Sequence, residues 1–180
     1  KNGDIGLTIA GKFPIKYEGQ GKFILDGKDI KNEWQGYIPY KNILTYKNPK
    51  EGYVSSANQH PVNKTYPYYY YSHDYEMYRG RRLMERLESI DNVEINDIKK
   101  IQNDNFNYKA YEILPIILDE LDTIKLTYEQ KIYFKNLKNW DYFAEVSNEN
   151  QVVFNEWWNN LYKNIWDEFD SLKYPYRKPN

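Results

Sequence analysis

The residue types able to do chemistry are few, which narrows the options. The 180 residues contain no cysteine, so disulfides, thiolate metal ligands and a cysteine nucleophile are all excluded. Only two histidines occur, His60 and His73. A Ser-His-Asp triad or a multi-histidine metal centre is hard to build from so little imidazole. Two groups of residues remain. The first is the turn Asn48 to Gly52 followed by Tyr53 to Pro61, which carries Asn58 and His60. The second is the basic stretch Tyr78-Arg79-Gly80-Arg81-Arg82-Leu83. By itself Asn58 reads as a turn former after a strand, because asparagine tolerates such backbone geometry. By itself the arginine cluster reads as a solvated face salt-bridged to acids such as Glu76 and Glu85. His60 reads as a surface histidine, and Asn63-Lys64-Thr65 is a glycosylation triplet of the kind that arises often by chance.

These residues must be held by a scaffold, and the chain changes character along its length. Residues 1–75 are rich in Gly, Pro and Tyr. Ile5, Leu7 and Ile9 alternate with smaller or polar residues and predict a strand. Asn48-Pro49-Lys50-Glu51-Gly52 is a turn signal, and Tyr53 to Ala57 predicts a second strand. Residues 76–180 have a helical period. Leu83, Met84 and Leu87 share one helix face. A second helix is expected from about Glu94 to Glu120, capped by Asp91 or Asn92 and kinked or divided at Pro115. Thr127 and Gln130 form a capping-box signature for a third helix, through Phe134, Leu137 and Trp140. A fourth carries Phe154, Trp157, Trp158, Leu161, Ile165 and Phe169, and should stop before Pro175. The expected class is α+β: a few N-terminal strands, then about four helices, the two segments together one partial domain. So few strands would be marginal alone, which implies partner strands elsewhere in a parent protein.

Bulk properties set the outer bounds. Net charge is −1, so neither nucleic acid nor an anionic membrane is an expected partner. No apolar run approaches the ~20 residues of a membrane helix. Aromatics make up 18% of the chain, with 20 tyrosines, enough to line an apolar pocket.

Five segments in order carry a resemblance: Trp34 to Pro39 (WQGYIP), Asn48 to Pro61 (NPKEGYVSSANQHP), Tyr78 to Leu83 (YRGRRL), Ile101 to Asp104 (IQND) and Leu137 to Asp141 (LKNWD). Their order and spacing resemble the heavy chain of penicillin acylase (penicillin amidase) family enzymes, over roughly residues 5 to 165. The resemblance implies a fragment of the four-layered αββα fold of N-terminal-nucleophile hydrolases. It implies an amidohydrolase that cuts the linear amide bond of an N-acyl compound, with an N-terminal Ser as nucleophile and its α-amine as base. No residue here matches that Ser, so the remainder of the parent is the expected partner and the isolated segment is expected to be inactive.

The resemblance also implies roles. Asn58 matches the family asparagine whose amide donates to the oxyanion, and Arg79 matches an arginine beside it that orients substrate or nucleophile. The family often has a second Asn where this chain has Gln59. Tyr68, Tyr69 and Tyr71, in the stretch linking Asn58 to Arg79, are expected to bind the acyl group, with aromatic packing between sheet and helices as the plainer reading. The family's calcium carboxylates find no match, and neither metal nor cofactor is expected. An extracytoplasmic location is suggested by the resemblance alone. The alternative function is a non-catalytic module that binds an acyl or aromatic ligand, and a blander one is an accessory helical domain for protein contacts. A cut-out segment can also self-associate to cover its sheet edges.

Overall fold

The computed structural model of the chain describes residues 2–21, 24–70 and 77–171. Contacts group them into two compact units, Lys1–Glu88 and Ser89–Asn180. The first helix therefore belongs with the N-terminal segment.

In the N-terminal unit, the Ile5-Leu7-Ile9 alternation gives strand β1, Gly6–Thr8. Its partner is β2, Thr45–Lys47, antiparallel, with Leu7 opposite Tyr46. Asn48 ends the ladder. Its φ is 47°, its N–H donates to Ile5 O (2.9 Å), and its side chain accepts from Ile5 N–H (2.9 Å). Tyr53 to Ala57, expected as a strand, does not form one. The backbone groups that would pair are taken locally: Gln59 Oε1 accepts from Ala57 N–H (2.5 Å), and Gln59 Nε2 donates to Ser55 O (3.2 Å). The WQGYIP segment instead runs beside Phe13 to Ile15. Ile38 N–H donates to Phe13 O (2.8 Å) and Ile15 N–H to Gly36 O (2.9 Å). Gly36 has a φ of 109°, a conformation that side-chain-bearing residues rarely adopt. Among the described residues of this unit, Ile38 is the one buried hydrophobic side chain, at 9% exposure. Helix α1, Tyr78–Glu88, completes the unit.

The second unit is helical: α2 (Ile95–Gln102), α3 (Tyr108–Glu120), α4 (Tyr128–Lys138) and α5 (Asn150–Ile165). Among the described residues five α-helices thus stand where about four were expected, because the run from Glu94 to Glu120 is divided before Pro115. Asn103 caps the end of α2. Asp104 Oδ1 accepts from Phe106 N–H (3.0 Å), and Asn107 Oδ1 accepts from Ala110 N–H (2.8 Å) to start α3. Short polar side chains that bond nearby backbone groups compete with the helix and favour its ends. Pro115 itself sits inside α3, on its exposed side. The start of α2 lies at Glu94 rather than Asp91 or Asn92, with Glu94 N–H donating to Asp97 Oδ2 (3.2 Å). The capping box of α4 is formed: Thr127 Oγ1 accepts from Gln130 N–H (3.2 Å) and Gln130 Oε1 from Thr127 N–H (2.9 Å).

Helix α4 stops at Lys138, so Trp140 lies beyond it. Trp140 is nonetheless 4% exposed, and its Nε1 donates to Phe143 O (2.9 Å). With Ala110, Leu114, Leu118, Leu137 and Phe154 it forms the core of this unit, and Trp157 and Trp158 pack against it. Helix α5 ends at Ile165. Phe169 falls instead in a short 3₁₀ segment, Asp167–Ser171.

Candidate active site: an amide and a guanidinium on one turn

The turn at Ser55 to His60 is closed by the two Gln59 hydrogen bonds described above. That closure leaves Asn58 at its apex with a φ of 63°, in the left-handed region where asparagine is among the few tolerant residues. Gly80, buried on the first turn of α1, faces Gln59, so helix and turn approach closely. One residue earlier on α1, Arg79 Nη2 donates to Asn58 Oδ1 at 2.5 Å. The two residues that the sequence singled out, 21 positions apart, are therefore in direct contact.

This bond fixes the amide's orientation. A guanidinium only donates, so the asparagine oxygen must face it. The Nδ2 group, with two N–H donors, then points away from Arg79 and has no partner among the described residues. Both side chains are exposed. The arrangement offers a neutral, non-titrating donor, polarised by a permanent cation on its oxygen side. Its position on the helix is also unfavourable for stability. The first turn of α1 carries Arg79, Gly80 and Arg81 and no acid, although the N-terminal end of a helix dipole favours anions.

The other basic residues are occupied structurally. Arg82 pairs with Glu85 (3.0 Å) and Arg81 lies over the Tyr78 ring (6.0 Å). Glu76, His73 and Tyr71 lie outside the described residues. Tyr68 is half-buried, and its hydroxyl accepts from Asn42 Nδ2 (2.7 Å). Tyr66 stacks edge-on against it (5.7 Å between centroids) and donates to Asn42 O (2.9 Å). The Tyr69 hydroxyl is buried and has no hydrogen-bond partner among the described residues. Tyr66 and Tyr68 thus pack around Asn42. Gln59 is the residue that sequence reasoning undervalued. It was visible only as a departure from a second asparagine, whereas its side chain sets the turn.

An α+β chain with an outward-facing amide held by an arginine is suited to stabilising developing negative charge. The penicillin amidase family model matches residues 1–178, and the chain belongs to that family. Over 105 residues it is 27% identical to the penicillin acylase 2 proenzyme of Pseudomonas sp. (strain SE83), a stretch covering 58% of this chain and 14% of that protein. Over 63 residues it is 33% identical to the acyl-homoserine lactone acylase QuiP of Pseudomonas syringae pv. syringae (strain B728a), covering 35% of this chain and 8% of that one. The matched stretches are thus a small share of each relative's length.

Proposed function

We propose that this chain is the oxyanion-binding part of an amidohydrolase that cleaves the linear amide bond of an N-acyl compound. The carrying observation is the 2.5 Å contact between Arg79 and Asn58, which turns the Asn58 amide donors outward. In this reading the hydroxyl of an N-terminal Ser, on a segment outside these residues, attacks the amide carbonyl. Its α-amine takes the proton, and Asn58 Nδ2 donates to the tetrahedral oxyanion. Collapse expels the amine, and water then releases the acyl group as a carboxylic acid. Arg79 keeps the amide oriented. Tyr69, whose buried hydroxyl has no partner among the described residues, and Tyr68 are read as borders of the acyl pocket, with Tyr71 alongside. The N-terminal unit is read as a partial N-terminal-nucleophile hydrolase domain. Among the described residues of this unit Ile38 is the one buried hydrophobic side chain, which is little core and supports completion by the rest of the parent protein.

The test is hydrolysis of a panel of phenylacetyl and fatty-acyl amides by the full-length protein, with Asn58→Ala alongside. Removal of one such donor is expected to lower kcat by ~10²–10³. Turnover unaffected by the substitution, with folding intact, would discard the site. No turnover on any acyl amide would leave a non-catalytic acyl-binding module instead.

A further inference from the structure

Behind the Asn58 turn the N-terminal unit has a cleft of ≈ 440 Å³, within the size range of small-molecule sites. Neither Asn58 nor Arg79 lines it. Its apolar walls include Leu7 and Ile9 from the first strand region and Met84 from α1. Two aromatic side chains, Tyr46 and Tyr53, face it, and so do two carboxylates, Glu51 and Glu88. Among the described residues that line it there is no lysine or arginine, and His60 is the one basic side chain. Tyr53 joins the charged and aromatic parts. Its hydroxyl donates to Glu88 Oε1 (3.1 Å), and Glu51 acts on the same hydroxyl electrostatically to a smaller degree. Three or more clustered metal-ligating side chains occur nowhere among the described residues, so the acids here are not part of such a cage.

We propose that this cleft binds a small organic cation, an ammonium group carried on an aromatic or aliphatic body. The carboxylates complement the charge, the tyrosine rings suit a cation that meets their faces, and the leucine, isoleucine and methionine take the apolar remainder. A neutral ligand would leave that charge complementarity unused, and an anion would be repelled. The inference does not depend on the acylase reading, because neither Asn58 nor Arg79 lines the cleft. Gln59 and Ser55 line it as well, so an occupant touches the residues that hold Asn58 at its apex.

The test is calorimetric titration of the full-length protein with 2-phenylethylammonium and with 2-phenylethanol, a near-isostere without the charge. The cation is expected to bind at least about tenfold more tightly than the alcohol. Glu51→Gln combined with Glu88→Gln should remove most of that preference, since a glutamine oxygen can still accept from Tyr53. Exposed Glu51→Gln alone serves if the double variant melts early, and should reduce the preference in part. The Met84 methyl resonance, assigned by Met84→Leu, should shift with the cation. Equal affinity for cation and alcohol, no binding at millimolar concentration, or an unchanged preference in the glutamine variants would each overturn the proposal.

Discussion

Arg79 Nη2 and Asn58 Oδ1 meet at 2.5 Å across a turn whose apex, Asn58, has a φ of 63°. Two properties of Asn58 are thereby separable, its backbone conformation and its amide. Asn58→Gly should keep the first and remove the second, since glycine adopts the left-handed region freely. Asn58→Asp should keep the contact with Arg79 as an ion pair, yet replace the outward donor with an acceptor. Both variants are expected to fold with nearly unchanged melting curves and to lose ~10²–10³ in the amide hydrolysis proposed for the full-length protein. A structural asparagine would give the opposite result for glycine: stability held and activity held with it.

The packing of α1 on the turn makes a second prediction. A Cβ added at Gly80 would sit 3.5 Å from Gln59 Cβ and 3.6 Å from its Oε1, ordinary van der Waals contact. Gly80→Ala should therefore fit and raise stability by about 0.5–1 kcal/mol, the gain in helix propensity. Gly80→Val adds two methyl groups into the same space and should push Gln59 off Ser55 O and Ala57 N. Chemical denaturation of the two variants checks this. A destabilised alanine variant would mean that helix and turn sit closer than these distances.

How far the fold could be read from the sequence follows from which signals are local. The β1 alternation and the Thr127–Gln130 capping box are properties of a few adjacent residues, and both appear as expected. The partner strand β2, Thr45–Lys47, is exposed at all three positions and therefore has no apolar pattern to betray it. Tyr53 to Ala57 has strand-like composition, but the Gln59 side chain takes its backbone groups, a competition that propensity does not register. At the site, composition alone gave only a turn asparagine and a basic cluster. The family pattern paired Asn58 with Arg79, and the structure brings these two into contact. The cleft behind them draws on residues from Leu7 to Glu88, too scattered for any motif.

Neighbouring residues in α3 should respond with opposite sign. Leu114 is 0% exposed in the core shared with Leu137, Trp140 and Phe154, so Leu114→Ala is expected to destabilise by about 2–5 kcal/mol. Pro115 is exposed and lies mid-helix, where it withholds one backbone donor. Pro115→Ala restores that donor without emptying the core, and should stabilise by about 1–3 kcal/mol. Thermal and denaturant unfolding of both variants provide the measurement. Destabilisation by Pro115→Ala would show that the ring supports packing not evident from its exposure.

Alkaline pH gives the last prediction. Tyr53, Tyr66 and Tyr142 all hold their protons above the ordinary tyrosine range, chiefly because burial disfavours the phenolate. For Tyr53 the hydrogen bond to Glu88 adds to this, for Tyr66 the proximity of Tyr68, and for Tyr142 that of Tyr111. A group with a higher pKa folded than unfolded keeps its proton longer in the native state. Its contribution is therefore complete below the unfolded value of about 10 and is lost as pH rises through the folded value. Melting temperature should hold to about pH 9–10 and then fall. Each such tyrosine contributes a slope of at most about 1.4 kcal/mol per pH unit. Tyr142→Phe keeps the ring that packs on Phe106, Tyr111 and Trp140 and removes one titrating hydroxyl. Its alkaline slope should be shallower than that of the unsubstituted protein, and identical slopes would mean that the Tyr142 hydroxyl ionises alike in both states.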